Sequence, residues 1–137
     1  MALTKERIRE ISDKRVQKMA QKGYFQRGTD ISPQHEAELR AYGKKQGITS
    51  VGEMIAALLI DFNENGAGMA TQEDVEKAFS RDRENAKKTG FFLTDDQFNA
   101  IRSMHQKINP HARKSLSHGL AILIEGSKKL NILEEIS

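Results

Sequence analysis

The sequence predicts a mainly helical domain with two short strands, built from two unequal copies of one strand–helix–helix unit. Two pairs of matched segments and one physical constraint predict it. Gly28-Thr29-Asp30-Ile31-Ser32 is followed seven residues later by Leu39-Arg40, and Gly90-Phe91-Phe92-Leu93-Thr94 is followed at the same spacing by Ile101-Arg102. Ser50-Val51-Gly52-Glu53-Met54-Ile55 and Ser115-Leu116-Ser117-His118-Gly119-Leu120 then each open an apolar run. A unit of this kind cannot bury its own hydrophobic face, whereas two copies can bury each other. The copies are offset by 62 residues in the strand and first helix and by 65 in the second helix, so the second turn is three residues longer.

Four segments follow in order. Residues 1–23 read as a basic helix over Leu3 to Lys22, with Thr4 as cap and Gly23 as terminator. Residues 24–62 form the first copy. Tyr24 to Ile31 is its strand, and Pro33 opens the first helix, where a missing N–H costs nothing. Gly47 ends that helix near Gln46, and Ser50 or Thr49 caps the next. The run Met54 to Ile60 is apolar nearly all round, so that helix belongs at the centre of a core. Residues 63–87 form an acidic connector: a loop over Asn63 to Ala70, then a polar helix from Thr71 to about Lys87, with Val75, Ala78 and Phe79 as a small docking face. Residues 88–137 form the second copy. Its strand is Thr89 to Leu93, and Thr94 caps a helix that Asn109-Pro110 breaks. Ser115 caps the last helix, with Gly126 near its end.

Composition narrows the setting. At 137 residues the chain is one domain by length, 37% hydrophobic and 30% charged. It has no cysteine, which excludes disulfides and Cys-based zinc sites and fits a reducing compartment. The longest apolar run is far short of the roughly 20 residues that cross a bilayer. The N-terminus is charged at once and shows no secretory leader. The expectation is a cytoplasmic protein with no membrane partner. The net charge of +3 is modest, but its distribution is uneven. Residues 1–30 carry eight Lys/Arg against four Asp/Glu, and Gln97 to Ile124 carry four basic residues and no acid. Glu53 to Glu84 reverse the sign, with eight acids against three bases. That asymmetry is expected of a protein with one polyanion-facing surface and an acidic surface away from it.

A short strand, a helix of about fourteen residues, a turn and a capped apolar helix resemble the ribbon-helix-helix family of DNA-binding proteins. The second-helix signature of that family, approximately Ser-x-Ser-Glu-apolar-Ile, corresponds to Ser50 to Ile55 and to Ser115 to Leu120. The first copy keeps the Glu and lacks the second Ser, while the second keeps both Ser residues and has His118 in place of Glu. The resemblance covers roughly residues 24–62 and 88–130. It implies a mainly α fold with a short two-stranded antiparallel β ribbon. Two ribbon-helix-helix repeats would form an intramolecular pseudo-dimer, accompanied by the N-terminal and connector helices. It further implies a sequence-specific, double-stranded DNA-binding transcriptional regulator, of the kind common on plasmids and in conjugation systems.

The candidate DNA contacts divide into readers and clamps. A two-stranded ribbon fits the major groove, and alternate side chains on its exposed face reach base edges. With Leu39 and Ile101 taken as core, alternation turns Gln26, Gly28 and Asp30 outward in the first strand and Arg27 and Thr29 inward. In the second strand it turns Lys88, Gly90 and Phe92 outward, and Phe92 could touch a thymine methyl. A one-residue slip or bulge would instead expose Arg27 and Thr29, so both sets stand as candidates together with Thr89. The helix N-termini at Thr49-Ser50 and Arg113-Lys114-Ser115 present free N–H groups and a positive dipole end, which suit a phosphate. His118 is a further candidate for phosphate contact.

Other chemistry finds little support. His35, His105, His111 and His118 show no paired ligand spacing, so no metal is expected. Asp95-Asp96 and Glu134-Glu135 are neighbours that diverge around a helix. No phosphate-loop motif and no nucleophile–base constellation occurs, so no enzyme, cofactor or small-molecule substrate is expected. Competing readings are an accessory relaxosome or partition protein at a transfer origin, an antitoxin-like protein-interaction module, and a helical bundle with an accidental repeat. Self-association and the transcription machinery stand as further partners, through the acidic connector and Phe79.

Overall fold

The computed structural model describes residue 14 and residues 17–67, 70–81 and 83–136. Most of the N-terminal helix expected over residues 3–22 lies outside the described residues. Residues 17–21 are helical. Gly23, at φ +85°, then turns the chain into β1 (Tyr24–Ile31).

The first strand leads into α1 (Pro33–Gln46) and α2 (Val51–Glu64). The Ser32 hydroxyl accepts the His35 N–H and Pro33 opens α1, as the sequence predicts. Gly47 ends α1 in the left-handed region at φ 72°, where a side chain would be strained. Ser50 caps α2 through the Glu53 N–H. α3 (Gln72–Arg81) begins after Thr71, whose hydroxyl and N–H both engage Asp74. A 3₁₀ turn, Arg83–Asn85, then leads into β2 (Lys87–Thr94). The connector helix is therefore shorter than the expected run to Lys87, and β2 starts two residues early. Cross-strand pairing decides this: Ile31 sits opposite Lys87 and Asp30 opposite Lys88, so β1 extends its partner to its own length.

Thr94 and Gln97 form a reciprocal capping box at the start of α4 (Asp95–Arg102). The sequence predicts one helix from here to Asn109. The structure divides it at Ser103 into α4 and α5 (Met104–Ile108). The division has a tertiary cause. The Arg102 carbonyl accepts the Ser115 N–H, so it leaves the helical ladder, and Gln106 bonds to Ser103 instead. Ser115 also caps α6 (Leu116–Lys129) through the His118 N–H.

The described residues are mainly helical, with one two-stranded antiparallel sheet. α6 runs through the centre: Leu120 to Ile124 are all buried, and the helix packs on α1, α2, α3, α4, α5 and β1. Leu39, Ile55, Leu58, Val75, Leu93 and Ile101 are fully buried around it. The packing crosses between the two halves of the chain, since α2 lies on β2 while α6 lies on β1. Two glycines make the close approaches possible. A Cβ on Gly52 would overlap the Phe92 backbone, and one on Gly119 would overlap the Ile101 carbonyl. No helix among the described residues is long and apolar enough to cross a membrane.

Candidate nucleic-acid interface

The ribbon has two unlike faces because side chains alternate along each strand. Its pairing runs without a bulge from Tyr24 opposite Thr94 to Ile31 opposite Lys87. Ile31, Phe91 and Leu93 are buried and mark the inner face. Arg27 sits opposite Phe91, and Thr29 opposite Thr89, on that same face. The outer face therefore carries Gln26, Gly28, Asp30, Lys88 and Gly90, all exposed, with Phe92 half-buried.

This arrangement excludes the slipped register. Arg27, Thr29 and Thr89 do not face outward, so as base-reading candidates all three are corrected. Two contacts from α4 offset part of the cost of turning an arginine inward, while the Arg27 Nε stays buried without a hydrogen-bond partner. The Arg27 Nη2 donates to the Asp95 carboxylate at 2.6 Å, and its guanidinium lies 3.9 Å from the centre of the Phe98 ring. Asp95 in the first turn of α4 and Phe98 one turn later are the sequence signal for this partnership. Phe92 is on the expected face. It is half-buried and lines a cleft together with Met19, Lys22, Tyr24, Ser50 and Glu53.

The two helix N-termini stand at opposite ends of the ribbon. Ser50 and Gly52, at the start of α2, line the cleft that holds Tyr24 and Phe92. Ser117 and Leu120, in the first turns of α6, line a small cavity with Asp30 and Ile31. Thr49, Ser50, Arg113 and Lys114 are exposed and Ser115 is half-buried. His118 has another role than the phosphate contact the sequence suggested. Its ring is stacked between Phe79, 4.3 Å away, and His105, 4.7 Å away, and its Nδ1 lies 3.0 Å from the Ser115 hydroxyl. His105 in turn reaches Gln72 at 2.8 Å. This stack ties α3 and α5 to the start of α6, and Phe79 is spent on it.

A second polar cluster was not legible in the sequence. His35 and Glu38 on α1 meet Glu125 and Lys128 on α6. The Lys128 Nζ lies 2.9 Å from both carboxylates, and His35 Nε2 lies 3.0 Å from Glu125. The Glu38 side chain is 0% exposed and also accepts the Ile136 N–H at 3.1 Å. Burial opposes ionisation of Glu125, but hydrogen bonds from His35 and Lys128 outweigh it and hold its pKa below the usual carboxylate range. Burial likewise opposes the charge of Lys128, and the two carboxylates outweigh it and raise its pKa. His35, Glu38 and Glu125 offer ligand atoms within 4.8 Å of one another, yet the Lys128 ammonium already bridges the two carboxylates. The cluster therefore reads as an ion-pair bolt between α1 and α6. Only the three-residue spacings His35/Glu38 and Glu125/Lys128 hint at it in sequence, and such spacings are common on solvated helices.

Comparison with protein-family models, with curated proteins and with solved structures gives no match for this chain.

Proposed function

We propose that this chain is a tandem ribbon-helix-helix protein, folded as an intramolecular pseudo-dimer, that binds double-stranded DNA sequence-specifically as a transcriptional regulator. The observation that carries the reading is an outer ribbon face on which Gln26, Gly28, Lys88 and Gly90 are exposed, flanked at each end by the N-terminus of a long helix. Three further features support it. The order strand, helix, capped helix occurs twice. The register sets Gly28 opposite Gly90, which are each other's counterparts in the repeat. The second helix of each copy packs on the strand of the other, as in an intertwined pair.

In this reading the ribbon enters the major groove and presents Gln26 and Lys88 to base edges. The starts of α2 and α6 bind one backbone phosphate each, with free N–H groups and the positive end of the helix dipole. Arg113 and Lys114 add charge beside the second. These contacts set position and orientation without reading sequence.

Fluorescence anisotropy with duplex DNA tests the clamps. Arg113 and Lys114 are exposed and cap nothing, so replacing both with glutamine leaves the fold intact. The double variant should weaken binding by a similar factor on every duplex and reduce the salt slope by about one per lost phosphate contact. An unchanged slope removes this end of α6 from the interface.

A further inference from the structure

Neither glycine at the centre of the outer ribbon face is needed by the fold. Gly28 and Gly90 lie opposite each other and neither has a positive φ. A Cβ would meet nothing nearer than 3.5 Å at Gly28 and 3.7 Å at Gly90. Alanine fits both places, and a glycine inside a strand weakens it. Two side chains use the room. The Lys88 Cε lies 3.5 Å from where a Gly28 Cβ would be, and the Gln26 Nε2 lies 3.7 Å from where a Gly90 Cβ would be. Each is the diagonal neighbour of the glycine it overlies.

The repeat makes these two contacts equivalent. The 62-residue offset that carries Gly28 onto Gly90 also carries Gln26 onto Lys88. Counterpart side chains thus cross the ribbon in the same sense, each over the opposite strand's glycine. Both are exposed, and among the described residues neither side chain has a hydrogen-bond or ion-pair partner. The other outward residues are less available. Tyr24, Phe92 and Thr94 are half-buried, and Asp30 already has a partner within the chain.

We infer that Gln26 and Lys88 determine sequence preference as a mismatched pair, so that the DNA site is asymmetric: adenine beneath Gln26, guanine beneath Lys88, and no side-chain contact at the step beneath the two glycines. The chemistry follows from donor and acceptor patterns. A glutamine amide both donates and accepts, which matches adenine N6 and N7. A lysine ammonium only donates, which matches the two acceptors O6 and N7 of guanine. This inference rests on the DNA-binding reading above and specifies what that site recognises.

Selection of bound sequences from a random duplex library, with the full chain, tests it. The wild-type pool should hold guanine in one half and adenine at the equivalent position of the other. Lys88→Gln should replace that guanine with adenine and make the halves alike, lowering preference for the original base about tenfold. Gln26→Lys should do the converse. Gly90→Ala should weaken the adenine preference while the melting temperature holds or rises. Variant pools identical to the wild-type pool would overturn the assignment of Gln26 and Lys88 and leave DNA binding standing. A wild-type pool with no enriched sequence would overturn both.

Discussion

Arg27 shows how a single residue's role depends on what the fold brings to it. In the sequence alone a strand arginine such as Arg27 is a candidate base reader. Here its guanidinium is held by Asp95 and Phe98, residues more than sixty positions away in sequence. The ion-pair bolt is the other residue-scale case, and its pH dependence has a definite sign. The Glu125 pKa is lowered on folding, so its contribution is complete above the ordinary 4.5 and is lost as pH falls through the folded value. Asp74, lowered from 3.8 to about 2 chiefly by its hydrogen bond with Lys129 and then by Thr71, adds to the same acid limb. Glu125→Gln is expected to cost about 1–3 kcal/mol at pH 7, and its deficit against wild type should shrink below pH 4.5. Thermal unfolding from pH 7 to pH 3 checks this. Parallel curves for the two proteins would mean that folding leaves the Glu125 pKa unchanged, so that its partners do not hold it down.

At the scale of elements, the capping residues were readable because a cap is a local event. Ser32, Ser50, Thr94 and Ser115 each bond an N–H three residues ahead, and sequence spacing contains that information. The break between α4 and α5 was not readable. It exists because α6 approaches closely enough for Ser115 to take the Arg102 carbonyl. Gly119 permits that approach, which yields a prediction opposite to helix propensity. Alanine in place of a mid-helix glycine ordinarily gains about 1 kcal/mol. At Gly119 the new methyl would collide with the Ile101 carbonyl, so Gly119→Ala should instead cost about 1–3 kcal/mol. Urea unfolding measures it, and a variant as stable as wild type would show that α4 and α6 are further apart than described.

For the whole molecule, the decisive feature is that each long apolar helix packs on a strand distant from it in the chain. α2 covers β2, α6 covers β1, and the two helices also touch. A chain ending at residue 70 would retain β1, α1 and α2 but lose the surface that α2 covers. It is expected not to fold as a monomer. Far-UV circular dichroism with sedimentation analysis tests this, and a folded monomeric fragment would contradict the crossed packing. The same feature explains what was legible. Element types, caps and the apolar runs that must be buried could all be read along the chain. These follow from periodicity, turn chemistry and local hydrogen bonding, all of which act within a few residues. Tertiary structure alone decided the ribbon register, the inward turn of Arg27, the interrupted helix and the bolt between α1 and α6. Each depends on two segments far apart in the chain meeting at one distance and angle, and spacing along a sequence does not encode distance across a core.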